Sequence, residues 1–245
     1  MQKQLVFLHG WGMNKAVWQL CQQTLATDKS LQIQALNLPG FGGEALPTSG
    51  FSITACAEQL AEQLPDHSIL AGWSLGGLFA LYLAHHYPHK VSKVVLVCAS
   101  PYFCQSSEWP GIKPDVLANF ATQLQRDSNK TIERFLAIQA MGSEHAREDI
   151  KQLRQLLASL PAPQQQALAG GLNMLQSLDL RVVFSELKQP VAGVFGRLDS
   201  LVPAAVVDDM HKLNANFRAH VMAKASHAPF ISHKDDFISL LKTII

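Results

Sequence analysis

Gly72-Trp73-Ser74-Leu75-Gly76 decides the reading of this chain. The pentapeptide follows a short apolar run, Ser68-Ile69-Leu70-Ala71, and precedes a longer one, Leu78 to Ala84, of helical length. A strand, a G-x-S-x-G turn and a helix in that order form a nucleophile elbow. The turn is tight enough to strain the serine backbone, and flanking glycines relieve the side-chain clashes. The Ser74 hydroxyl is then exposed at the head of a helix, with the Leu75 N–H aimed at any oxyanion that forms there.

The same alternation extends on both sides. Apolar runs at Leu5–Leu8, Leu31–Leu38, Ser68–Ala71 and Lys93–Cys98 read as strands, separated by helical patterns at Val17–Leu25, Ser52–Leu64 and Leu75–Tyr87. Buried strands alternating with helices imply a mostly parallel sheet covered on both faces, an α/β fold. From Tyr102 to Lys188 the pattern changes to helices and loops, punctuated by Pro110, Pro114, Pro161 and Pro163, with no convincing strand before Val182. That stretch is too long for a loop and reads as an inserted helical lid over 102–188, splitting the core into 1–101 and 189–245. Alternation then resumes, with strands at Pro190–Phe195 and Ala219–Ala223 and helices at Ala204–Leu213 and Asp235–Ile245.

A serine hydroxyl needs a base beside it, and in this architecture the partners follow as acid and then histidine, each on a loop after a strand. Asp199 directly follows the strand from Pro190, whereas Glu186 precedes it, Asp208 and Asp209 fall in the next helix, and no acid follows Cys98 until Glu108. His227, in Ala225-Ser226-His227-Ala228-Pro229, follows the next strand among small neighbours, while His233 lies six residues further on, before the final helix. The expected triad is Ser74, Asp199 and His227. The loop after the first strand, His9-Gly10-Trp11-Gly12, offers the Trp11 N–H as a second oxyanion donor, and His9 reads as a brace for that loop. Any of Phe103, Trp109, Phe120, Phe135 and Met141 could line an acyl channel in the lid.

The bulk composition points the same way. A formal net charge of +1 over 245 residues makes no global case for nucleic acid or membrane binding. Cys21, Cys56, Cys98 and Cys104 form no C-x-x-C pair and read as reduced. Only four apolar residues precede His9, too few for a signal or membrane segment, so the expectation is a cytoplasmic monomer. His85, His86 and His89 gather at a helix end without a nearby acid or cysteine, and neither a metal nor a cofactor is expected.

In the lid, Arg126, Lys130 and Arg134 recur at i, i+4, i+8, and Arg147, Lys151 and Arg154 at i, i+4, i+7, so that each set would form one ridge of a helix. The segment Pro101–Lys188 holds nine basic and nine acidic residues, so its cations are sorted onto faces rather than in excess. Such ridges suit an acidic protein partner, or else a solvated face with local ion pairs to Glu133 or Glu148.

The elbow, the HGWG loop, Gly196-Arg197-Leu198-Asp199-Ser200-Leu201-Val202-Pro203 and the S-H-A-P segment together resemble the α/β-hydrolase superfamily. Trp109–Ala118 and Glu133–Gln139 in the lid, with Lys224–His233, resemble more narrowly the pimeloyl-[acyl-carrier protein] methyl ester esterases of biotin synthesis. That resemblance covers nearly the whole chain. It implies a serine carboxylesterase that removes a methyl group from a pimeloyl ester carried on acyl-carrier protein. It carries over Ser74, Asp199 and His227 as catalytic, and Trp11, Ser74, Leu75, Phe135, Leu136, Ala137, Ile138, Gln139 and His227 as substrate-binding. Such proteins usually have one or two strands before the HG-loop strand; here four residues precede Leu5, and the sheet is expected to lack that edge. The rival reading is a general short-chain carboxylesterase or thioesterase of the same fold.

Overall fold

The computed structural model describes residues 2–245. Six strands, β1 (Lys3–Leu8), β2 (Leu31–Leu36), β3 (Ser68–Trp73), β4 (Val91–Val97), β5 (Val191–Gly196) and β6 (Phe217–Met222), form one sheet in the order β2-β1-β3-β4-β5-β6. Every neighbouring pair is parallel. β3 and β5 are buried along their whole length, as expected of strands covered on both faces. Among the described residues β2 is the sheet edge beside β1.

The connecting helices fall close to their sequence signals. A 3₁₀ turn, Lys15–Trp18, leads into α1 (Gln19–Leu25), where the sequence reads as one helix. The Ser52 hydroxyl accepts from the Ala55 N–H and caps α2 (Ile53–Gln63). α3 (Leu75–His86) starts at the elbow and is buried almost all round, packed against β3 and β4. α9 (Val206–Leu213), the short α10 (Pro229–Ser232) and α11 (Lys234–Ile244) complete the core.

Between β4 and β5 lie five helices: α4 (Pro114–Arg126), α5 (Ser128–Gln139), α6 (Ala146–Leu157), α7 (Gln165–Ser177) and α8 (Arg181–Glu186). Val182, where the sequence first admits a strand, is helical within α8. A second difference bears on the lid surface. Arg126, Lys130 and Arg134 do not share one helix, because Asp127 is extended (φ −158°, ψ 99°) and its carboxylate caps α5 by accepting from the Lys130 N–H. An aspartate that competes for backbone donors favours a helix start over a helix interior. Arg147, Lys151 and Arg154 do lie together on α6.

The sheet order reverses between β1 and β3. β1 connects outward to β2, and β3 connects the other way to β4, which opens a crevice at the carboxyl ends of β1 and β3. The HG loop and the elbow flank that crevice. Helix α3 enters it closely enough that a β-carbon at Gly76 would lie 2.6 Å from the Leu8 carbonyl oxygen. Gly76→Ala should therefore destabilise the fold by about 3 kcal/mol or more, since backbone cannot step aside as a side chain can; a urea unfolding midpoint like that of the parent protein would contradict this packing.

His9 is fully buried beneath the same crevice. Its Nδ1 donates to the Gly10 carbonyl at 2.8 Å, and its Nε2 accepts from the Leu38 N–H at 3.0 Å, which fixes a neutral tautomer. Burial lowers its pKa from 6.5 to about 4. The unfolded chain then takes up a proton below pH 6.5 that the folded chain refuses until about pH 4, so His9 removes stability as pH falls through that window, at about 1.4 kcal/mol per unit. Acidification from about pH 7.5 to about pH 5 should cost the parent protein about 2 kcal/mol more than it costs His9→Gln. Equal losses by urea titration would show that His9 titrates alike in both states.

Candidate active site

The elbow takes the strained form its sequence demands. Ser74 sits at φ 53°, ψ −119°, a conformation rare for a residue with a side chain. Its N–H donates to the Val97 carbonyl at 3.1 Å, and its carbonyl accepts from Gly77 at 2.8 Å. Both bonds hold the turn between β4 and the first turn of α3. Ser74 is buried, and the Gly10 backbone lies against it: a β-carbon at Gly10 would be 3.2 Å from Ser74 Cβ.

Asp199 and His227 are brought together from the ends of β5 and β6. His227 Nδ1 and Asp199 Oδ2 are 2.8 Å apart, and both side chains are sealed from solvent. The other carboxylate oxygen, Oδ1, accepts from the Leu201 and Val202 N–H groups at 2.8 and 3.0 Å. Those donors satisfy a buried carboxylate and aim its second oxygen at the imidazole. The two loops can meet because Gly196, between them, leaves no room for a side chain against the Ala225 and Ser226 carbonyls. His227 Nε2 is buried without a hydrogen-bond partner. A histidine with Nδ1 engaged by a carboxylate and Nε2 free is arranged as a base.

The rival groups lie elsewhere. His233 bonds the neighbouring Ser232 hydroxyl at 2.9 Å. Glu186 lies on α8, 3.9 Å from His85, while Asp208 and Asp209 are in the first turn of α9 and Glu108 is exposed. Among the described residues, His85, His86 and His89 form no three-donor cluster; the group that does is Cys98, Asp199 and His227, with atoms within 4.8 Å of one another. Burial and the Asp199 carboxylate push the Cys98 thiol well up, so it stays protonated beside the acid. Its sequence reading as a small buried thiol holds, but its place against Asp199 comes from a pairing of β4 with β5 that no local pattern shows.

Trp73, read only as part of the elbow, is a further contributor. Its indole N–H donates to the His227 carbonyl at 2.8 Å, and its ring packs edge-on to Phe230. The residue before the serine thus grips the histidine loop. The motif G-W-S marks the position, but the partner is 154 residues away.

The lid closes over this crevice. Trp11 is fully buried, with its indole donating to the Leu168 carbonyl of α7 at 2.8 Å and its ring edge-on to Phe135 of α5. Among the described residues no backbone carbonyl accepts from the Trp11 N–H, and the start of α3 carries no side-chain cap at Leu75. Phe135 in turn meets Phe120 of α4 edge-on. Of the lid run carried over by resemblance, Phe135, Leu136 and Gln139 are buried, Ile138 is half-buried, and Ala137 lies on the exposed face of α5. Both polar atoms of the Gln139 side chain are buried without partners. Met141, named with the lid aromatics, is exposed. Phe103 and Trp109 are buried, and the Trp109 indole donates to the Tyr102 carbonyl.

The six lid cations are all exposed. Arg126, Lys130 and Arg134 line a shallow groove with Asn119 and Gln123 across the α4–α5 junction. Arg134 stacks over Phe120 and donates to Gln123, whereas Arg154 makes a bidentate pair with Glu133 of α5. Among the described residues Arg126, Arg147 and Lys151 make no ion pair, and no helix is long and apolar enough to cross a membrane.

Comparison with known proteins accords with this geometry. The profile of the alpha/beta hydrolase fold matches residues 3–234. The pimeloyl-[acyl-carrier protein] methyl ester esterase of Aeromonas hydrophila is 48% identical over 244 residues, covering 98% of this chain and 94% of that protein. Its counterpart in Aeromonas salmonicida is 48% identical over 242 residues, with the same coverage. Among solved structures, an esterase from Exiguobacterium antarcticum superposes with a TM-score of 0.87 at 23% identity, over 99% of this chain and 91% of that one, a likeness of fold. The chain belongs to the alpha/beta hydrolase family and, within it, to the family of the pimeloyl-[acyl-carrier protein] methyl ester esterases.

Proposed function

We propose that this carboxylic ester hydrolase cleaves the methyl ester of pimeloyl-[acyl-carrier protein], releasing methanol, with Ser74 as nucleophile, His227 as base and Asp199 as its orienting acid. The observation that carries the chemistry is the sealed Asp199–His227 pair with a free Nε2, and the strained elbow at Ser74 supports the choice of nucleophile. The substrate rests on the two Aeromonas relatives and their near-complete coverage, lid included.

Ser74 Oγ attacks the ester carbonyl as His227 Nε2 takes its proton. The oxyanion is received by the Trp11 and Leu75 N–H groups, at the end of β1 and the head of α3. His227 then protonates the departing methanol, and a water, deprotonated by the same nitrogen, releases the acid. Asp199 holds the Nδ1–H tautomer and stabilises the imidazolium. Phe135, Phe120 and Trp11 give the acyl chain an apolar wall. The Gln139 amide, unpartnered and costly when buried, is offered to a polar group of the substrate. Because Ser74 and His227 are both closed off, the 102–188 segment acts as a lid that lifts to admit the carrier's arm. The groove at Arg126, Lys130 and Arg134, with Arg147 and Lys151 on α6, receives the acidic carrier protein.

Ser74→Ala and His227→Ala should each lower turnover by on the order of 10⁵ to 10⁶, because a triad fails as a unit. His233→Ala should stay within about twofold of the parent. Pure Ser74→Ala protein retaining more than a few per cent of the rate would overturn the assignment.

The carrier claim is tested at charges without structural partners. Arg126→Glu combined with Lys151→Glu should cut kcat/KM for the carrier-bound ester by on the order of tenfold, with the loss shrinking at high salt. Hydrolysis of a small soluble ester should hardly change. Equal losses on both substrates would make these residues supports of the lid. No loss on either would favour a general short-chain esterase.

A further inference from the structure

The catalytic histidine loop also serves as the cap of a lid helix. Helix α5 ends at Gln139, and the last carbonyls of a helix lack partners within it and carry its negative dipole end. Here two donors come from the far end of the chain. The His227 N–H donates to the Gln139 carbonyl at 3.3 Å. The Ser226 hydroxyl faces the Gln139 carbonyl at 3.1 Å and the Met141 carbonyl at 2.6 Å. Ser226 is 2% exposed, so its single proton has no solvent alternative.

The opposite side of the loop is held by the core. The His227 carbonyl takes the Trp73 indole at 2.8 Å, and the Ser226 carbonyl lies 3.6 Å from Cys98 Sγ. Residues 226–227 are therefore gripped between the sheet and the lid. The same helix α5 carries Lys130 and Arg134 on its surface and Phe135 on its inner side. A displacement of α5 cannot leave His227 where it is unless the Ser226 bonds and the longer His227 N–H bond to Gln139 break.

We propose that Ser226 is a positioning residue that ties the placement of His227 to the placement of lid helix α5, so that the catalytic base is fully aligned only while the lid's docking helix is seated. The inference rests on the triad reading above and extends it to how the lid governs the base. A structural cap alone would change stability; a latch changes turnover.

The test uses the full-length protein and p-nitrophenyl butyrate as a small probe ester. Ser226→Ala should lower kcat by on the order of tenfold with KM within about twofold, a loss consistent with a displaced base. Amide hydrogen exchange across Gln139–Ser143 should quicken in parallel. Ser226→Thr, which keeps the hydroxyl, should restore most of kcat. If its extra methyl prevents folding, Ser226→Cys, a weaker donor, should fall between alanine and the parent. The latch is overturned if Ser226→Ala keeps the parent kcat, if its melting temperature falls with kcat unchanged, or if the hydroxyl-keeping variant folds without recovery. Ser74→Ala run alongside separates the two readings. Were it active, the triad would be wrong; were it dead while Ser226→Ala matched the parent, the latch alone would fail.

Discussion

Everything at the centre of this molecule depends on how closely helix α3 approaches the end of β1. Gly76 sits against the Leu8 and His9 carbonyls with no space for a methyl group. That approach holds Ser74 at a positive φ, points the head of α3 into the crevice and sets the HG loop across from it. Strain of this kind persists only where surrounding structure over-determines it. Here the determinants are the Val97 carbonyl, the Gly77 N–H and the buried, neutral His9 that pins β1 to Leu38.

Around that fixed point, the candidate catalytic groups are assembled by topology. In a wholly parallel sheet every strand ends on the same side, so the residues after β1, β3, β5 and β6 are neighbours in space although far apart in sequence. The electrostatics follow from closure. Asp199 is buried yet satisfied by two N–H groups and an imidazole, so its orientation is fixed before any substrate arrives. Both side chains of the pair are sealed from solvent, which strengthens the contact between them.

The pairing of Asp199 with His227 was legible because each residue lies just beyond an apolar run, and the strand signals were strong. Residues whose roles depend on long-range packing were not. Nothing near Ser226 announces that its hydroxyl meets carbonyls from a lid helix, and nothing near Cys98 announces Asp199. The break at Asp127 is an intermediate case. The spacing of Arg126, Lys130 and Arg134 favoured one continuous helix, while the Asp-Ser pair between them carried a readable capping signal that outweighs it. The helix at Val182 shows tertiary packing overriding β-branched propensity, with Phe184 buried against Phe217.

The lid interrupts the sheet between β4 and β5, and Val94 pairs with Val191 across its whole length. The entropy of closing so long a loop is met late in folding. The elbow and the HG loop belong to the part of the sheet that precedes this closure, while Asp199 and His227 arrive only with β5 and β6. A chain emerging from the ribosome therefore displays Ser74 long before the Asp199–His227 pair can form.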